Sequence, residues 1–445
     1  MIKYLKFILL AFALGAFANS CSDYVSNVKA PIDDVADDKL NTPGDVPFLV
    51  TGVQTAFAIV WDETSLFAGG LSDEMEFTRD IKQATYPTYE AIDLAETGGF
   101  NPLVPQNNST EAIMSELGRL RLLADTLIER VQNRITFDAT EEHTALKNLG
   151  LFTGYFYGAV ARYIWGTYWA LEAGPNKGGG VINLSPFIPA ATMYADAISR
   201  LDEALKYADA DQAKAANTLK ARILVIQGKY TEAAAPLAAG LASGDADFMV
   251  LYNTVENNYW YYWAGPGRTQ FHAAFRFGDY VYNEPQEAAR IPLYTITGTN
   301  NFTFPNDTVI GGVSYKGGEK VKIKYMQQLK YNEMGSGISF LSWQENTLML
   351  AELAIRANDN ATGLTLINEV RASHGIDALT DQMVTEKYNG NYLDLLYVER
   401  DKELCFTGMR LIDERRFPGK WHLTDANWFF FPIGYAERKA NPNIE

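Results

Sequence analysis

Amphipathic helical periodicity, arriving in pairs, limits the folds open to this chain more than any other feature. From Thr192 to Ala208, Tyr194, Ile198, Leu201 and Leu205 fall on one face while Asp196, Arg200, Asp202 and Lys206 fall elsewhere, the spacing of a helix with one buried side. Leu219, Ile223 and Ile226 continue the pattern, run into Gln227-Gly228-Lys229-Tyr230 and resume at Ala233 and Ala234. This predicts two antiparallel helices joined by a short turn. A similar pair spans Trp343 to Ala372, with Leu348, Ala351 and Ile355 before the polar turn Asn358-Asp359-Asn360 and Leu364, Ile367 and Val370 after it. Leu149 to Tyr168 predicts another long helix that buries Phe152, Phe156, Val160 and Tyr163.

Helix–turn–helix units of this length are similar to tetratricopeptide repeats, though the match is loose, and irregular helical packing is the alternative. The expected fold class is therefore mostly α. The stretch from about Asp245 to Phe340 differs in kind. It carries Tyr252, Tyr259, Trp260, Tyr261, Tyr262, Trp263, Phe271, Phe275, Phe277, Tyr280 and Tyr282 among Gly, Pro and Asn. Punctuation this dense breaks helices, so long loops and short strands are expected, with brief strands within Thr295–Ile310 and Lys320–Lys330. Long loops on a rigid scaffold are where function usually sits. In an extended backbone Trp260 and Tyr262, or else Tyr261 and Trp263, would face outward.

At the N-terminus, Lys3 and Lys6 precede an apolar run from Phe7 to Phe17 that closes on Ala18-Asn19-Ser20-Cys21. The run is shorter than the roughly 20 residues a spanning helix needs and suits an export signal, with Cys21 as the lipidated residue. Ordinary cleavage or a buried N-terminal helix are the competing readings. Residues 22–43 are polar and loop-like, as a flexible tether would be; the remainder is long enough for one extended core or two intimately packed subdomains, and 44–445 is expected as a single domain with a loop-rich insertion at about 245–340. The formal net charge of −16 argues against nucleic acid and against a basic membrane-binding patch. Cys21 and Cys405 are the only cysteines, so lipidation of the first leaves the second without a disulfide partner, as a small core residue.

Glu399-Arg400-Asp401-Lys402-Glu403-Leu404-Cys405-Phe406-Thr407-Gly408-Met409-Arg410, followed by Asp413 and Arg416, resembles the closing helix and turn of the SusD/RagB family of outer-membrane nutrient-binding lipoproteins. Phe431-Pro432-Ile433, Glu437 and Asn441-Pro442-Asn443 are similar to that family's terminal segment. Trp343-Gln344-Glu345 through Glu352, and Ile367-Asn368-Glu369-Val370-Arg371, resemble its last helical pair. Thr407 replaces a commonly acidic residue and Gly434 a frequent second proline. The aromatic stretch cannot be matched residue by residue.

The charged set in this motif reads as structural. Glu399 and Glu403 lie one turn apart, Arg400 and Arg410 can bridge to carboxylates, and Gly408 is placed to end the helix in a left-handed conformation. A glycosidase acid and nucleophile is the competing reading, but flanking arginines would hold both carboxyls ionised.

The resemblance implies a helical platform against a SusC-like TonB-dependent transporter, lipid-anchored on the outer face of the outer membrane, presenting loops to an oligosaccharide or polysaccharide. Candidate ligand-binding residues are Trp260, Tyr261, Tyr262 and Trp263, with a second group at Arg79, Tyr86, Tyr89 and Asn101, because aromatic rings stack on the CH faces of sugars. A peptide cargo is the first alternative and a surface glycosidase the second. No catalytic residue, metal or cofactor is expected: His143, His272, His374 and His422 have no metal-ligand spacing, and no nucleophile motif is present.

Overall fold

The computed structural model describes residues 39–77, 107–268, 270–422 and 428–444. Cys21, expected to be lipidated, the expected tether up to residue 38, and Arg79, Tyr86, Tyr89 and Asn101 lie outside them.

Three long helices form the centre: α1 (Val46–Leu71), α2 (Asn108–Asn133) and α3 (Glu141–Tyr168). Thr140 begins α3 because its side chain accepts the His143 N–H and satisfies one of the helix's open donors. By length and composition the α1 region could cross a membrane. Here it is core: Val53, Phe57, Val60, Trp61 and Phe67 are buried, and Trp61 meets Phe340 edge-on at 4.7 Å. Each such side chain taken fully out of water contributes roughly 1.5–3 kcal/mol.

The predicted pairs follow. α4 (Ala190–Ala204) packs on α3, and α5 (Ala210–Ile226) turns at Gly228, in the left-handed region, into α6 (Tyr230–Ala238). α9 (Trp343–Arg356) and α10 (Asn360–Ser373) form the second pair. Ser342 caps the former, Asp359 caps the latter, and Asn358 takes a left-handed conformation between them. α11 (Asp381–Tyr388), α12 (Tyr392–Glu403), α13 (Arg410–Arg416) and α14 (Tyr435–Ala440) complete a mostly α, tetratricopeptide-like scaffold.

The aromatic stretch is less irregular than its sequence suggests. Besides strands it contains two helices, α7 (Tyr259–Ala264) and α8 (Phe275–Asn283). β1 (Met75–Phe77), β3 (Phe271–Ala273), β5 (Lys324–Gln328) and β4 (Leu293–Thr297) form an antiparallel sheet in that spatial order. β2 (Phe248–Val250) pairs with β6 (Ile338–Leu341) and ties the stretch back to the start of α9.

Candidate functional site

α7 is a helix because of its two ends. The Asn258 side chain accepts from the N–H groups of Trp260 and Tyr261 at 2.8 and 3.2 Å and donates to the Ser336 carbonyl at 2.7 Å. At the other end Gly265-Pro266-Gly267 stops the turn. A helix advances 100° per residue, so the outward pairs expected of a strand do not form.

Trp260 and Trp263 consequently leave the site. Trp260 is fully buried, donates from its indole Nε1 to Ser65 Oγ at 2.8 Å, and packs against Tyr331 and Phe406 at 6.0 and 5.7 Å. It lies so close to α1 that a Cβ on Gly69 would come within 3.1 Å of its ring. Trp263 is 6% exposed and edge-packed on Tyr262 at 4.8 Å. Neither indole can offer a face to a ligand without repacking.

Tyr261 and Tyr262 remain partly exposed. Two residues that the sequence reading did not single out join them. Arg268, exposed, holds its guanidinium 5.7 Å from the Tyr262 ring and 5.3 Å from Trp263. Tyr294 on β4, half-buried, is close enough to Tyr261 that the two phenols influence each other, although burial is the larger cause of its raised pKa. Arg268 is signalled by the Gly-Pro-Gly break just before it; Tyr294 has no local signal, since only the strand register brings it there. Tyr261 and Tyr262, with Tyr294 near the former and the Arg268 guanidinium beside the latter, thus keep partly exposed ring surface able to stack on flat CH-rich groups and to hydrogen-bond at their edges. In the sheet, Phe77 of β1 is paired with Phe271 of β3. On β3 itself, the His272 ring packs against Phe275 and Tyr325 and meets the Glu76 carboxylate at 3.7 Å.

The C-terminal charges are built differently. Glu399 faces Arg290 at 2.6 Å, Arg371 at 3.0 Å and Lys402 at 3.3 Å, while Glu287 faces Arg290 and Lys402 at 2.6 Å each. Burial alone would raise the Glu399 pKa, but the surrounding cations overcome it and hold the carboxyl down at about 2. Glu403, beside His374 and Arg290, is also lowered against the effect of burial. A general acid needs the opposite shift, so this pair cannot protonate a glycosidic oxygen near neutral pH.

Arg400 pairs with Asp413 at 2.8 Å and Arg410 with Asp73 at 2.5 Å. α12 ends at Glu403, before the glycine expected to end it. Gly408 is left-handed at φ +82°, but it sits in the following turn, where a Cβ would approach Ser65 Cα to 2.8 Å. Phe406, also left-handed, donates its N–H to Glu74 Oε1 at 2.7 Å. Burial pushes Glu74 up to about 8 and the buried Cys405 thiol up to about 12. Among the described residues no group of His, Cys, Asp and Glu is arranged to hold a metal ion.

Residues 344–445 match the family model described as the SusD family. No curated protein matches the sequence. Among solved structures, a SusD superfamily protein from Bacteroides vulgatus superposes with a TM-score of 0.65 at 16% identity, covering 91% of this chain and 98% of its own. NanU of B. fragilis superposes at 0.65 with 13% identity over 94% and 99% of the two chains. A laminarin-binding SusD-like protein does so at 0.62 with 13% identity over 90% and 98%. Identities this low speak to the fold, and the family's sequence pattern speaks for the C-terminal segment. The fold is thus similar to that of solved SusD-like proteins, and the C-terminal segment carries the sequence pattern of the SusD family.

Proposed function

We propose that the chain is a cell-surface lipoprotein that captures oligosaccharide or polysaccharide and passes it to a SusC-like TonB-dependent transporter, without catalysis. The observation that carries this reading is the partly exposed ring surface of Tyr261 and Tyr262 on α7, with Tyr294 near the former and Arg268 beside the latter. Rings half-sunk in a rigid surface lose little freedom on binding, and their exposed faces match the CH side of a pyranose. The similarity to a laminarin-binding protein favours glycan over peptide. Delivery requires release, and a few stacked rings with rim hydrogen bonds reach about 4–8 kcal/mol, the millimolar to micromolar range.

Arg79, Tyr86, Tyr89 and Asn101 remain candidates for the same ligand. The export signal with Cys21 supports anchoring at the outer membrane: Cys21→Ala should yield an unlipidated protein, and continued membrane attachment of that variant would count against the anchor. The deciding experiment is a glycan and peptide array on the purified chain, followed by titration of Tyr261→Ala and Tyr262→Ala against the hits. Loss of glycan binding with unchanged melting temperature is expected. Peptide hits alone, or unaltered glycan affinity in both variants, would remove this assignment.

A further inference from the structure

Away from the tyrosine face, a second pocket of about 350 Å³ opens between the end of α3, the start of α4 and α13. Tyr194, Ile226, Arg415, Phe429 and Phe430 form much of its wall, with Pro175 and Asn176 exposed at its edge. The informative residue is Arg415. Its Nε donates to the Leu411 carbonyl at 3.1 Å, Nη1 to that of Phe429 at 3.3 Å and Nη2 to that of Thr167 at 2.8 Å. All three acceptors are neutral, and among the described residues no carboxylate lies within ion-pair distance of it.

The neighbouring Arg416 shows the contrast, because Glu352 at 2.6 Å and Asp413 at 2.8 Å offset its charge. Burial therefore dominates at Arg415 and lowers its pKa, whereas at Arg416 the carboxylates prevail. A guanidinium carries five N–H donors, so three carbonyls leave two of them without an acceptor among the described residues. Taking a cation out of water without a counter-charge is costly, and the same low dielectric strengthens its attraction for an anion that enters.

The rest of the wall sets the shape of that anion. The Arg415 guanidinium lies 4.3 Å from the Phe430 ring, and Phe429 is stacked on Trp421 at 4.2 Å, so the aromatic surface is braced from behind. Tyr194 adds a hydroxyl held 3.1 Å from Thr167 Oγ1. With a water's share of volume at about 30 Å³, the pocket has room for a six-membered ring and not merely a lone ion.

We propose that this pocket binds a small carboxylate with a flat apolar or CH-rich body, its carboxylate on Arg415 and its body against Phe429 and Phe430. A sugar acid and an aromatic acid share that chemistry. Calorimetric titration of the full chain with glucuronate, benzoate and glucose separates them. Binding of at least one acid, with glucose silent, is expected, and the tighter acid identifies the source. Arg415→Gln should weaken the acid at least tenfold. Because Arg415 also holds three carbonyls and its loss can unfold the chain, Ala190→Leu provides the second variant: it fills the pocket wall at the first residue of α4, and it should abolish binding with an unchanged melting curve. Absence of any acid binding, glucose binding as tightly as glucuronate, or full affinity in folded Ala190→Leu would each overturn the proposal. Tyr261→Ala and Tyr262→Ala should leave acid binding intact, so failure here is distinguishable from failure at the tyrosine face.

Discussion

The C-terminal helices and the aromatic helix α7 both bury groups that sequence alone would leave near water, and they do so by opposite means. Around α12, charge is cancelled by charge: Glu399, Arg290, Arg371, Lys402 and Glu287 are buried in one mutually paired set. Around α7, rings are sorted by helical geometry, with Trp260 and Trp263 turned inward and Tyr261 and Tyr262 left at the surface. In the first region each member already has its counter-charges in place. The second keeps unused ring surface, and that is what a ligand can take. A dense cluster of charged residues can therefore have its charges spent on one another while a modest aromatic rim keeps surface to spare.

Removing one member should test this pairing most severely. Glu399→Ala leaves Arg290 and Arg371 buried with fewer counter-charges, a loss of about 3–5 kcal/mol for a broken buried pair, read from urea unfolding. Protonation probes the same carboxyl. Its folded pKa of about 2 lies below its ordinary 4.5, so its contribution is complete above pH 4.5 and disappears as pH falls toward 2. A wild-type stability flat across that window would break the account. Trp260→Ala removes a core indole and should cost about 3–5 kcal/mol as well. If instead it folded normally and lost only ligand binding, the division drawn between Trp260 and its tyrosine neighbours would be wrong.

Glu74 is the exception inside the charged region, and it sharpens the contrast. Its Oε1 accepts the Phe406 N–H, but its Oε2 is buried with no hydrogen-bond partner among the described residues, so burial wins and the folded pKa rises to about 8. Between pH 4.5 and 8 the unfolded chain gives up this proton while the folded chain keeps it, so stability declines as pH rises through that range. Glu74→Gln retains an acceptor for Phe406 and removes the titration. It should raise the melting temperature at pH 8 and change it little at pH 5.

Much of this was legible beforehand, for physical reasons. Helical pairs announce themselves through local periodicity, and Gly228 and Asn358 mark their turns by tolerating left-handed backbone. The structural role of Glu399 was readable from the arginines around it in sequence. Arg290, which forms its shortest ion pair, lies more than a hundred residues away and was not. α7 was misread as extended because glycine and proline around it outweighed a local signal, the Asn258 cap followed by six residues free of both. The partnership of Tyr294 with Tyr261 depends on pairing between β4 and β5, which no local pattern encodes.

The smallest expected effect on stability is also the most discriminating. Tyr262 packs edge-on against Trp263 and under Arg268, but its outer side meets water, so Tyr262→Ala forfeits little core area and should cost no more than about 1 kcal/mol of folding free energy. If the ring stacks on a sugar, the same change removes the contact along with part of the support for Arg268, and a loss of about 1.4 kcal/mol lowers affinity tenfold. Tyr262→Phe keeps the stacking face and deletes only the hydroxyl, so it should retain most of the binding if the ring is what matters. An equal loss in the Phe and Ala variants would move the interaction from the ring to the rim, and would make the hydroxyls and Arg268, rather than stacking, the means by which this surface holds its ligand.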